Sequence, residues 1–76
     1  IDQFRRIQIL ELLGRHPELS VQEIGDSVGV SIKNASHHIR TMKIAGLVMK
    51  RSDGLSVRHR LTDRGVTVLA FLRMLE

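Results

Sequence analysis

A chain of 76 residues has room for one domain, and at that length a single apolar core stabilises by only roughly a few kcal/mol without help. Twelve Lys and Arg stand against eight Asp and Glu, a net charge of +4, and the absence of cysteine excludes disulfides, thiolate zinc sites and cysteine nucleophiles. No apolar run approaches the roughly 18 residues that span a bilayer, and no signal-peptide pattern precedes the first helix, so one domain over residues 1–76, in the cytoplasm, is expected.

Asp2 is placed to cap a first helix, with Phe4, Ile7, Leu10 and Leu13 along one side of it up to Gly14. Ile9 and Leu12 fall elsewhere on the wheel, which makes the stripe wider than a single packing face needs. Pro17 disfavours helical backbone at His16, so Arg15 to Leu19 read as a connector.

Ser20 precedes Glu23 by three positions, a capping box that starts a helix at Val21. Val21, Ile24 and Val28 give it a narrow apolar face, and Gly29 suits the positive φ at its end. Ser31 offers a second N-cap, followed by Ile32, Ala35, Ile39 and Met42 lining one side of a longer helix to about Ala45, where Gly46 stops it. With Ala35 inward, the step of about 100° per residue puts Lys33, Ser36, His37, Arg40 and Ile44 on the opposite side. Two helices joined by a tight turn, the second displaying polar side chains, are the geometry with which a helix-turn-helix enters the DNA major groove. Helix pairs with a glycine turn also occur in ordinary bundles with a solvated face.

From Leu47 the apolar period changes from helical to alternating. Leu47–Arg51 and Leu55–Leu61 are strand-like runs, and the Asp53-Gly54 pair between them is a strong hairpin signal. With Asp53 and Gly54 as the loop, Lys50 pairs with Val57 and Val48 with His59, while Arg51, Arg58 and Arg60 share the other face with Met49. Arg58 and Arg60 stay on one face in any register, because strand side chains alternate. Three arginines on one side of a ribbon beside a basic helix make a second phosphate-contacting element; charges that only protect an edge strand from aggregation are the competing reading. His59 reads as a packed or solvated residue at the base of the ribbon and not as a pH sensor.

Thr62 caps a last helix from Asp63 to about Leu75, apolar at Val66, Val68, Leu69, Ala70, Phe71, Leu72, Met74 and Leu75, nearly all round. The surplus on the first and last helices needs a cover. A symmetric homodimer built on Ile9, Leu12, Leu69, Phe71, Leu72 and Leu75 is expected to supply it.

The charge is unevenly spread. Residues 1–30 carry three basic side chains against five acidic ones, residues 31–60 carry seven basic ones against Asp53 alone, and the remainder is neutral. The positive field coincides with the second helix of the pair and the ribbon, the footprint of a polyanion-binding face. The residues expected to meet double-stranded DNA are Lys33, Asn34, Ser36, His37, Arg40 and Lys43 on the helix and Lys50, Arg51, Arg58 and Arg60 on the ribbon. RNA fits less well, since the only aromatic rings available to stack bases, Phe4 and Phe71, lie on apolar helices. No serine is placed with a base and an orienting acid, and there are no paired carboxylates or phosphate-cradling glycine loop, so neither an enzyme nor a cofactor is expected. A metal is not expected either, because His37 and His38, adjacent on a helix, point about 100° apart.

Helix, helix-turn-helix, hairpin and closing helix together make a winged helix: mainly α in an α+β sense, with a three-helix core, a β-hairpin wing and a C-terminal dimerisation helix. The run SHHIRTMKIAGLVMKRSDGLSVRHRLTDRG resembles the signature of ArsR-type and MarR-type bacterial and archaeal transcription regulators. The matching residues are Ser36, His37, His38 and Ile39; Met42, Ala45, Gly46, Leu47 and Val48; Arg51, Asp53 and Gly54; and Leu61, Thr62 and Gly65, within residues 19–65. The resemblance implies that Lys33, Ser36, His37 and Arg40 face the major groove and that the wing arginines reach phosphates or the minor groove. It also implies that His38 sits at the core edge and the terminal helices form a dimer. The cysteines or last-helix ligands of the metal-sensing members are missing, so no metal site carries over. The expected function is a sequence-specific, DNA-binding transcription repressor acting as a homodimer; the alternative is a winged helix used for protein–protein contact in a larger assembly, because fold alone does not fix function.

Overall fold

The computed structural model describes residues 2–76. The chain runs α1 (Asp2–Arg15), α2 (Val21–Val28), α3 (Ile32–Ile44), β1 (Val48–Asp53), β2 (Ser56–Leu61) and α4 (Asp63–Met74). Its helix starts follow from local chemistry. The Ser20 hydroxyl accepts the Glu23 N–H at 3.2 Å while the Glu23 carboxylate accepts the Ser20 N–H at 2.8 Å, and α2 ends in left-handed Gly29. Ser31 accepts the Asn34 N–H at 3.1 Å to start α3. Thr62 accepts the Gly65 N–H at 3.0 Å and donates its own hydroxyl to the Gly46 carbonyl at 2.5 Å. Gly65 lies so close to the Leu47 carbonyl that a Cβ there would overlap it, which locks the start of α4 against the exit of α3. The side chain of Asp2, expected to cap α1, lies outside what the structure describes.

The core is formed by Ile9, Leu10, Leu12 and Leu13 of α1, Ile24 and Val28 of α2, Ile39 and Met42 of α3, Val48 of β1 and Leu69 of α4. This corrects the sequence reading in three places. Phe4 and Ile7 are exposed, and Ile9 and Leu12 are buried in their stead. Ile9, Leu10, Leu12 and Leu13 span about 160° of the wheel at 3.6 residues per turn; α1 packs against α2, α3 and α4 at once, so it needs a broad inward arc centred near Ile9 and Leu13. Ile9, Leu12 and Leu69, expected at a subunit interface, are therefore enclosed within the chain itself. At the start of α3, Ile32 is 54% exposed and takes no part in the core.

The strands pair antiparallel, with Val48 opposite Leu61, Lys50 opposite His59, Arg51 opposite Arg58 and Asp53 opposite Ser56. The loop residues are Gly54 and Leu55, not Asp53 and Gly54. Only Gly54 has positive φ, 63°, as a type II′ turn requires at its first central position. The expected pairing is thus displaced by two residues, an even number, so each side chain keeps its predicted face. The hairpin also gains a third backbone partner that the alternating pattern did not reveal: Leu19 exchanges both backbone hydrogen bonds with His59, at 2.8 and 3.1 Å. Further ties run between helices, with Arg5 donating to the Val28 carbonyl at 3.2 Å and Arg73 to the Glu11 carboxylate at 2.9 Å. Among the described residues no helix is long and apolar enough to cross a membrane.

Candidate nucleic-acid interface

Helix α3 is held by its underside. Ala35, His38, Ile39 and Met42 are buried, which anchors the helix through two successive turns of i, i+3 and i+4 contacts. The same periodicity turns Lys33, Asn34, Ser36, His37 and Arg40 outward, all exposed, with Lys43 half-buried at the trailing end. His38 occupies the core edge at 6% exposure. Its neighbour His37 stands outside with its ring centroid 5.9 Å away. The side chain of Asn34 is free to reach outward because the cap at Ser31 uses only its backbone N–H.

The hairpin divides its cations between two faces. Lys50 shares the core-side face with buried Val48 and His59, and Arg51, Arg58 and Arg60 lie on the other. Burial holds the pKa of the His59 imidazole below its ordinary 6.5, and Lys43 and Lys50, close enough to repel a second positive charge, push the same way. Lys43 at the end of α3 and Lys50 on β1 thus bracket the base of the wing and join the basic edge of the helix to the basic ribbon.

The arginines of the outer face are not equivalent. The Arg51 guanidinium donates to the Glu18 carboxylate at 2.6 Å, and that bond, followed by the carboxylate's charge, raises its pKa. Arg58 donates to the Glu18 backbone carbonyl at 3.2 Å and stands 3.7 Å from the Glu23 carboxylate. Glu23 itself has a lowered pKa, chiefly because its carboxylate accepts the Ser20 backbone N–H. Arg60 donates to the sulfur of Met49 at 3.4 Å. Among the described residues Lys33, Arg40, Lys43, Lys50 and Arg60 form no ion pair, so their charge is uncompensated. The sequence reading missed Glu18 and Glu23 as partners of the wing arginines; the signal for them was the acidic excess of the first thirty residues, set against a cationic second half.

Helices α1 and α4 also carry exposed apolar residues. Phe71 and Leu75 of the expected interface set are exposed at 59% and 68%, Leu72 is half-buried, and Phe4, Ile7 and Met74 extend the same apolar character. A groove of about 410 Å³ between α1, the end of α3 and α4 is lined by Ile7, Leu10, Met42, Val68 and Leu72.

Comparison with known proteins agrees with this geometry. Residues 5–49 match the family described as winged helix-turn-helix DNA-binding. The chain is 34% identical over 74 residues to a cadmium resistance transcriptional regulatory protein CadC homolog of Staphylococcus aureus, covering 93% of this chain and 61% of that protein. It is 34% identical over 64 residues to the HTH-type transcriptional regulator KmtR of Mycobacterium tuberculosis, covering 84% of this chain and 48% of that one. The chain therefore spans about half to three-fifths of the length of these relatives. Among solved structures, the homodimeric winged helix-turn-helix DNA-binding domain of a possible ArsR-family regulator from Mycobacterium bovis superposes with a TM-score of 0.84 at 29% identity, over 93% of this chain and 66% of that one. An α3 anchored from below with its polar edge outward, a basic hairpin beside it and a family match reaching from α1 into β1 have one common explanation: the chain belongs to the winged helix-turn-helix DNA-binding family.

Proposed function

We propose that this chain is the DNA-binding domain of a sequence-specific transcription regulator that works as a homodimer in the cytoplasm, by binding and not by catalysis. One observation carries the reading: the outward edge of α3 holds cations with no internal partner, continuous with a hairpin that supplies more of them. Such a surface gains by exchanging counterions for phosphates. In this reading Lys33, Asn34, Ser36 and His37, on the first turns of α3, meet base edges in the major groove, where their donors and acceptors discriminate between base pairs. Arg40 and Lys43 farther along the helix, with Lys50, Arg58 and Arg60 on the wing, meet phosphates and set orientation and affinity. Phe71, Leu72 and Leu75, joined by Phe4 and Ile7, form the self-complementary dimer contact. In this reading the regulator acts by occupying its site on DNA, as a repressor.

A winged helix serving protein–protein contact is expected to present a neutral, apolar α3; here that edge is basic and polar. The decisive experiment selects bound fragments from random duplex DNA at a stated salt concentration. Enrichment of a two-fold symmetric site, with half-sites about one helical turn or 34 Å apart, is expected. Failure to enrich any sequence overturns the reading.

A further inference from the structure

We propose that Glu18 acts as a built-in substitute for a DNA phosphate, holding Arg51 so that this arginine is withheld from the duplex, and thereby limits how strongly the wing grips DNA of any sequence. The inference rests on the DNA-binding reading above.

Four observations carry it. A carboxylate and a phosphate oxygen are interchangeable acceptors for a guanidinium, and the Glu18 carboxylate already occupies Arg51 at 2.6 Å. Glu18 is not a loose surface side chain: the residue after it, Leu19, is fixed by both of its backbone bonds to His59, so the carboxylate is carried on the edge of the same ribbon it neutralises. Arg51 and Arg58 are direct cross-strand partners, an opposition of like charges that destabilises a hairpin unless an anion stands near; Glu18 serves both, through its carboxylate and its carbonyl. Finally, Arg60 on the same face and Lys50 on the other have no such partner among the described residues, so the clamp is selective and not a general feature of the wing. A duplex approaching the hairpin meets free charge at Lys50 and Arg60, but must displace a pre-positioned carboxylate to reach Arg51. Because salt screens charges beyond about 8–10 Å, the neutralisation is confined to Arg51 and its cross-strand neighbour Arg58.

The test measures affinity for a random-sequence duplex against salt concentration. Glu18→Gln keeps the size of the side chain and removes its charge. It is expected to bind several-fold tighter than the wild type at about 0.1 M salt, with the log–log slope steeper by about 0.9 per protomer, one added phosphate contact. Adding Arg51→Gln to Glu18→Gln is expected to abolish the gain. Glu76→Gln, the same change in net charge beyond the far end of α4, is expected to leave the slope unaltered. An unchanged or weaker Glu18→Gln, or a gain that survives loss of Arg51, overturns the inference while leaving the DNA reading intact; a wild type that binds no duplex overturns both. An independent readout on the unaltered chain is the side-chain 15N resonances during titration with random duplex: those of Arg60 are expected to move and those of Arg51 to stay. Movement of Arg51 matching that of Arg60 also overturns it.

Discussion

His37 and Arg60 stand for two kinds of contact, and the difference between them is measurable. His37 is exposed on the second turn of α3, so His37→Ala is expected to lose about 1–3 kcal/mol on the cognate site while affecting random DNA less, lowering the specificity ratio. Arg60 is exposed on the wing and forms no ion pair among the described residues. Arg60→Ala is expected to weaken cognate and random DNA alike and to flatten the salt slope by about one unit per protomer. Titrating both variants on both duplexes, at several salt concentrations, separates the roles; loss of sequence preference in Arg60→Ala alone would reverse them. At this scale the exposed edge of α3 was legible, because 3.6-residue periodicity alone fixes which side chains oppose Ala35. The state of the arginines was not. Whether Arg51 is free or paired depends on Glu18, thirty-three residues away in sequence, and no local pattern encodes that encounter.

Among the elements, the wing is the one whose stability depends most clearly on pH. His59 is buried where β2 meets Leu19, and its folded-state pKa lies below the ordinary 6.5. As pH falls through 6.5 the unfolded chain takes up this proton first, so the contribution is intact above that value and is lost progressively below it, down to the folded pKa. The melting temperature is therefore expected to drop between about pH 7.5 and 5.5. His59→Gln, less stable at neutral pH, is expected to show a smaller drop; equal drops in the two proteins would show that His59 contributes nothing to the pH dependence. The element boundaries were readable from caps, since Ser20, Ser31 and Thr62 each do what their side chains allow. The hairpin loop was misplaced by one residue because Asp53-Gly54 and Gly54-Leu55 both satisfy a two-residue turn. The choice between them is made by pairing farther along the strands, where Val48 and Leu61 meet.

For the molecule as a whole, the question is what covers the exposed apolar side chains of α1 and α4. Sedimentation at micromolar concentration is expected to show a dimer, and Phe71→Asp, placing a charge in that contact, is expected to yield a monomer with much reduced affinity for a two-half-site duplex. A monomeric wild type would contradict the assembly. The surplus of apolar residues was legible as a total, but its division was not. Ile9, Leu12 and Leu69 went to the core and Phe4 and Ile7 to the surface because α1 is embraced by three helices, and how wide an arc that buries is a property of packing and not of the helix's own pattern.

The pair of backbone bonds between Leu19 and His59 also bears on the order in which the molecule is made. The α2–α3 turn and the hairpin each join near neighbours, and such local contacts close quickly. The seam beside them joins residues about as far apart as Glu18 and Arg58, which are forty positions distant. On the ribosome, the amide and carbonyl of Leu19 stay with water until β2, forty positions later, has emerged. The nascent chain can therefore assemble its reading helix before it can brace its wing. Pulse-labelled hydrogen exchange during refolding should find the amides of Leu19 and His59 among the last to be protected.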